Sequence, residues 1–131
     1  MSTMRNKRSK PLLGQSILIV EDEALIALDL HQTLGDSGAS VIAATSLEEG
    51  LDILTYAEVT AAVLDMNLGG PDCSPLCTEL HSKSIPFLFY TADPKAEILR
   101  AWPSAPVVLK PEPPEKRIVQ LLTGLLAEVS C

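Results

Sequence analysis

Aromatic side chains are scarce in this chain: two Phe, two Tyr and one Trp among 131 residues. With 47% of its residues hydrophobic, the interior must be aliphatic, built from Leu, Ile, Val and Ala. Long apolar runs are absent as well. Stretches such as Ile17 to Val20, Phe87 to Tyr90 and Val107 to Leu109 fall far below the ~18 residues that mark a membrane-spanning helix, so no membrane partner is expected. Acidic residues are missing from the first ten positions, which carry Arg5, Lys7, Arg8 and Lys10. No adequate apolar stretch follows them, which argues against a secretory leader. Residues 1–14 are expected to form a basic, flexible tail, as chain ends usually do, and residues 15–131 a single domain. Cysteine is sparse: Cys73, Cys77 and Cys131 cannot build a disulfide framework. The spacing Cys73-x-x-x-Cys77 does not match the usual zinc pattern, and no His cluster accompanies it. A reduced, cytoplasmic protein is the economical reading, with Cys77 packing as a small hydrophobe.

What is present is acid. The net charge is −7, and beyond residue 10 six basic side chains face seventeen acidic ones. Such a body repels nucleic-acid phosphates, so no nucleic-acid partner is expected.

From Gly14 onward, short Ile- and Val-rich runs alternate with segments of helical period. Ile17–Val20 reads as a buried strand, followed by Ile26, Ala27, Leu30 and Leu34 at helical spacing. Val41–Ala44 is a second strand, after which Ser46 is a suitable N-cap for a helix presenting Leu47, Leu51 and Leu54. Ala61–Leu64 is a third strand. Gly69, Gly70 and Pro71 mark a loop ahead of a helix carrying Cys73, Leu76, Cys77 and Leu80. Phe87–Tyr90 is the fourth strand, a short helix spans Lys95 to Ala101, and Val107–Leu109 is the fifth strand. The last helix shows Ile118, Leu121, Leu122, Leu125 and Val129. Five strands alternating with five helices predict a parallel sheet covered on both faces, because parallel neighbours need crossover helices. Continuous apolar strands suit that burial.

In an open α/β sheet, ligands bind beyond the carboxyl ends of the strands. The first strand is followed by Glu21 and Asp22, the third by Asp65, the fourth by Thr91 and the fifth by Lys110. The second contributes nothing comparable, and in a 2-1-3-4-5 sheet it lies at an edge. Three clustered carboxylates raise one another's pKa unless a cation sits among them. A hard divalent ion fits, since Mg²⁺ takes carboxylate, water and phosphate oxygens. The Thr hydroxyl can donate to a phosphoryl oxygen, and Lys110 can neutralise another. One carboxylate is then free to act as nucleophile, which is the toolkit for in-line phosphoryl transfer to an aspartate.

The set Val20-Glu21-Asp22-Glu23, Val63-Leu64-Asp65-Met66-Asn67, Tyr90-Thr91-Ala92 and Lys110-Pro111 resembles the receiver domain of bacterial two-component response regulators over residues 15 to 129. Each fragment alone is weak; their order, spacing and strand context together are strong. The resemblance implies a flavodoxin-like (βα)5 three-layer sandwich with strand order 2-1-3-4-5. It implies that Asp65 accepts a phosphoryl group from a histidine kinase or a histidine phosphotransfer protein. Asp22 would bind Mg²⁺ directly, Glu21 directly or through water, and Asn67 through its backbone carbonyl. Thr91 would contact the phosphoryl group, Lys110 would pair with its oxygens, and the Lys110–Pro111 bond would be cis. The chain would be no enzyme beyond catalysing its own phosphorylation and dephosphorylation. Output would pass to another protein or onward by phosphoryl relay, since residues 112–131 are taken up by the last helix. Receivers can also form homodimers through the fourth helix, fifth strand and fifth helix.

The sequence departs from the family in three places. Val107 stands where receivers usually carry an aromatic switch residue, three positions before the Lys. The segment from Thr91 to Lys110 is compressed and holds Pro94, Pro103 and Pro106, so the fourth helix should be short. Gly69-Gly70 replaces a proline often found after the phosphorylation loop. The run Ile85-Pro86-Phe87-Leu88-Phe89-Tyr90-Thr91 is similar to a subgroup of stand-alone receivers lacking the aromatic. The runner-up function is a phosphorylation-independent binding module, whose signature would be loss of a key acid, Thr or Lys. A phosphatase of the haloacid-dehalogenase type would want Asp-x-Asp where this chain has Asp65-Met66-Asn67, and a flavodoxin would not place Glu21-Asp22-Glu23 against a flavin phosphate. Glu23 reads as first-turn charge, His31 and His81 as surface residues, and Trp102 as either core or partner anchor.

Overall fold

The computed structural model describes residues 10–70 and 72–130. Its strands are β1 (Ser16–Val20), β2 (Ser40–Ala44), β3 (Ala61–Leu64), β4 (Phe87–Thr91) and β5 (Val107–Leu109). They alternate with α1 (Ala24–Asp36), α2 (Leu47–Tyr56), α3 (Ser74–Ser82), α4 (Ala96–Ala101) and α5 (Pro114–Ser130). The sheet is parallel with order β2-β1-β3-β4-β5, as the alternation of strands and helices predicts.

Side chains alternate across the pleat, and each strand therefore feeds two cores. On one face Leu18, Val20, Ala62, Leu64, Phe87 and Phe89 pack against Ile53 and Leu54 of α2, Leu76, Cys77 and Leu80 of α3, and Ile98 of α4. On the other, Ile17, Ile19, Ala61, Val63, Leu88, Tyr90 and Val108 pack against Leu30 and Leu34 of α1 and Ile118 and Leu122 of α5. Strands β3 and β4 are buried at every position and β1 at all but Ser16, whereas β2 at the edge is buried only at Ala44. Trp102 settles between the two expectations: it is half-buried, with Phe87 and His81 rings 5.7 and 5.5 Å away. His31 and His81 are exposed.

The tail boundary at Gly14 needs correction. Leu12 is fully buried within the α1–α5 core while Leu13 points outward. Its N–H donates to the Ser37 carbonyl at 2.8 Å, and Ser40 N–H donates to Gln15 at 2.9 Å. Burying one Leu side chain contributes ~2 kcal/mol, enough to hold this segment against the α1–β2 turn. The turn itself requires Gly38: its φ is +100°, and a Cβ there would meet the Leu13 nitrogen at 2.9 Å. The rest of the expected tail, residues 1–9, lies outside the described residues, as do Pro71 and Cys131.

Candidate functional site

Backbone pairing continues one residue past the strands and thereby sets the rim. Glu21 N–H donates to Ala44 carbonyl at 3.0 Å, Asp65 N–H to Val20 at 3.1 Å, and Lys110 N–H to Thr91 at 3.0 Å. These bonds bring the side chains that follow β1, β3 and β5 to one end of the sheet. Thr91 ends β4 itself, opposite Leu109. Glu21, Asp65 and Thr91 are the buried polar residues among those described, so the polar burial of the molecule is concentrated here.

Asp65 is the centre. Its Oδ1 accepts from Thr91 Oγ1 at 2.8 Å and from the Asn67 N–H at 3.0 Å; its Oδ2 accepts from Lys110 Nζ at 2.9 Å. Lys110 also reaches Glu21 Oε1 at 2.8 Å and Glu23 Oε1 at 3.1 Å. One ammonium thus serves three carboxylates. Its own pKa is drawn down by burial, but the hydrogen bonds it donates to Glu21, Asp65 and Glu23 outweigh that and raise it. Burial pushes the Glu21 carboxyl up to about 7 and the nearby Asp65 charge adds to this, against the bonds from Lys110 and the Glu23 N–H. Asp22, exposed, completes a cluster with Glu21 and Asp65 in which one oxygen of each lies within 4.8 Å of the others. Three hard oxygen donors converging beside an already burdened lysine suit a divalent cation.

Every residue expected at the rim (Glu21, Asp22, Asp65, Asn67, Thr91 and Lys110) is brought to it. The Lys110–Pro111 bond is cis. Gly69 has φ +74°, and a Cβ there would lie 3.5 Å from Asp22 Oδ2; the glycine permits both the turn and the approach to the acid.

Three contributions were missed. Glu23 is not merely first-turn charge: it is the N-cap of α1, and its carboxylate pairs with Lys110 across 87 positions of sequence. Its place in the run Glu21-Asp22-Glu23 was the only available signal. The Asn67 side chain has work of its own, donating from Nδ2 to Thr91 Oγ1 at 3.0 Å and to the Asp93 carbonyl at 3.1 Å. The Lys95 N–H donates to the Met66 thioether sulfur at 3.3 Å. Tyr90 supports the site from behind, its ring centroid 5.8 Å from Lys110 Nζ and its hydroxyl donating to the Glu112 carbonyl; burial raises its pKa. Val107 is half-buried beside Phe89.

A doubly wound parallel sheet with an acid cluster, a hydroxyl and a lysine at its carboxyl rim defines a class of phosphoacceptor switch. The family model of the response regulator receiver domain matches residues 17–117, and the chain belongs to that family. It is 40% identical over 78 residues to the two-component response regulator PhoP of Pseudomonas aeruginosa, an alignment covering 58% of this chain and 35% of that protein. The chain therefore spans about a third of that relative. A CheY-like receiver domain protein from Methanospirillum hungatei superposes with TM-score 0.80 at 22% identity, covering 88% of this chain and 96% of the other; that likeness is one of fold. The response regulator PhyR from Brucella abortus gives TM-score 0.76 at 27% identity, with 99% of this chain and 55% of that one covered. Receiver domains are signalling phosphoacceptors rather than conventional enzymes, and as a family they work with histidine kinases or phosphotransfer proteins. Among the described residues, no helix is long and apolar enough to cross a membrane.

Proposed function

We propose that this receiver accepts a phosphoryl group on Asp65 from the phosphohistidine of a histidine kinase or phosphotransfer protein, in the cytoplasm, and signals through protein contacts or phosphoryl relay. The observation that carries the reading is the setting of Asp65: one carboxylate held between the Thr91 hydroxyl, the Asn67 N–H and the Lys110 ammonium, beside Glu21 and Asp22.

An Asp65 oxygen attacks phosphorus as the P–N bond to the donor imidazole breaks, and the imidazole keeps that electron pair. Lys110 neutralises charge gathering on the phosphoryl oxygens. Thr91, released from Asp65 Oδ1, can donate to one of them. Glu21, Asp22, Asp65 and the Asn67 backbone carbonyl would hold Mg²⁺, which when bound supplies charge neutralisation at the transferring group. Because catalysis of this kind is mostly positioning and electrostatics, the preformed contacts at Asp65 are what the protein contributes. Partner contacts, including a homodimer, would draw on α4, β5 and α5, which carry the exposed Leu99, Leu109 and Val129.

The test is intact-protein mass after incubation with Mg²⁺ and acetyl phosphate. A single phosphoryl adduct, dependent on Mg²⁺ and absent from Asp65→Asn, is expected. No adduct from acetyl phosphate or from a phosphorylated histidine phosphotransfer domain, together with no Mg²⁺ binding, would favour the phosphorylation-independent module instead.

A further inference from the structure

Lys110 spends every donor it has. An ammonium carries three N–H groups, and here Nζ meets Glu21 Oε1 at 2.8 Å, Asp65 Oδ2 at 2.9 Å and Glu23 Oε1 at 3.1 Å. No donor is left for an incoming phosphoryl oxygen, yet the lysine must bond one to neutralise the charge gathering there. One carboxylate has to let go.

The three are unequal. The side chains of Glu21 and Asp65 are 1% and 5% exposed, that of Glu23 63%. Releasing a buried carboxylate strands its charge without a counter-ion, which is costly; an exposed one turns to water at little loss. Glu21 is also held from a second side, its Oε2 accepting from the Glu23 N–H at 3.2 Å. Asp65 is the reacting group itself. The Glu23 side chain, by contrast, has no duty to its own helix. Glu23 is the N-cap of α1, but its carboxylate makes no capping hydrogen bond. Asn, Asp, Ser and Thr are the side chains that serve that position. The helix is started by the Glu23 carbonyl, which accepts from the Ala27 N–H at 2.9 Å.

We propose that Glu23 is a displaceable ligand of Lys110: its carboxylate holds the third ammonium donor in the unphosphorylated protein and yields it to a phosphoryl oxygen as Asp65 is phosphorylated. The proposal rests on phosphorylation of Asp65 and makes Glu23 a positioning residue that acts through the lysine. The Glu23–Lys110 bond is made before the reaction and not in the transition state. It therefore stabilises the ground state alone and slows loading. Its release also cuts the tie between the start of α1 and the residue that follows β5, so loading of Asp65 is transmitted to the N-terminus of α1.

The test follows loading by intact-protein mass in Mg²⁺ and acetyl phosphate for the parent, Glu23→Gln and Asp29→Asn. Gln keeps the size of Glu without its charge. Asp29 is an exposed acid of the same helix that makes no bond to Lys110, so its variant controls for net charge. Glu23→Gln should load about fivefold faster, the scale of an ion pair with one exposed partner, while Asp29→Asn stays within about twofold of the parent. Glu23→Gln should also reach a higher phosphorylated fraction, and its urea midpoint in EDTA should match the parent's, which separates the effect from folding. Equal or slower loading of Glu23→Gln, or the same gain in Asp29→Asn, would overturn the proposal. Absence of an adduct from all three chains would remove the phosphoacceptor reading, and this proposal with it.

Discussion

The two edges of the sheet are built to different standards. At one edge β2 has five residues and leads into α2, a helix of ten whose Leu47, Gly50, Ile53 and Leu54 are buried. Its N-terminus is closed twice: Ser46 Oγ accepts from the Glu49 N–H at 3.1 Å, and the Glu49 carboxylate reaches back to the Thr45 N–H at 2.7 Å, a reciprocal arrangement close to a capping box. At the other edge β5 has three residues, and α4 has six with only Ile98 buried. Yet β2 contributes no side chain to the rim, whereas β5 delivers Lys110. The well-anchored edge is scaffold; the thin one holds the residue whose charge the site depends on. Low local stability and signalling go together because an element that must rearrange cannot be fixed by many contacts.

The largest effect should come from breaking the thin edge at Lys110. Lys110→Met leaves Glu21 and Asp65 buried without their cation. Fully buried pairs lose about 3–5 kcal/mol when one partner is removed, and the position at the rim reduces this to about 2–3 kcal/mol. Without the lysine the folded-state pKa of Glu21 rises further above its unfolded value, so the folded state binds the extra proton. The stability this brings is fully present below the ordinary Glu value of 4.5 and is lost as pH rises from there through about 7 and beyond, so the variant's deficit against the parent is smaller at pH 6 than at pH 8. Urea titrations in EDTA at the two pH values check this, and equal losses at both would refute the counter-charge role. Phosphorylation of the variant by acetyl phosphate should slow by about 10²-fold or more, as when one stabilising donor is removed from a transition state.

Next in size is Ile98→Ala. A buried Ile to Ala costs ~2–5 kcal/mol, and the low end is expected because α4 has so little else to lose. Amide exchange should quicken across Ala96–Ala101 while α2 stays protected. Uniform loss of protection would show that the thin edge is not locally independent. On the anchored edge, Ser46→Ala should cost ~1 kcal/mol by thermal unfolding and leave Asp65 phosphorylation unchanged. The smallest effect lies between the edges. Ser84 sits at φ 58° after α3, a region that glycine enters more easily, and Ser84→Gly should stabilise by about 0.5 kcal/mol without altering either edge.

Much of this was legible in the sequence because buried parallel strands are written as continuous apolar runs and four of the five runs here end at a functional residue. Ser46 as a cap and the brevity of α4 were readable for local reasons: a hydroxyl before a helical pattern, and prolines on either side. What stayed hidden depends on approach through space. Nothing local distinguishes Leu12, fully buried, from its exposed neighbour Leu13; the choice is made by Ser37 and Gly38 on another turn. Glu23 gains its partner only when β5 returns Lys110 beside β1. The Asn67 side chain gains its partners only when β4 brings Thr91 and Asp93 beside it.

Asp65, Met66 and Asn67 are consecutive, and each holds the segment between β4 and α4: through the Thr91 hydroxyl, the Lys95 N–H, and the Asp93 carbonyl. Mechanically this is a linkage with almost no slack. On the proposed function its input would be the charge on one carboxylate and its output the position of the first turn of α4, with an arm two peptide bonds long between them. None of these three contacts involves position 107, so a Val there leaves the linkage intact.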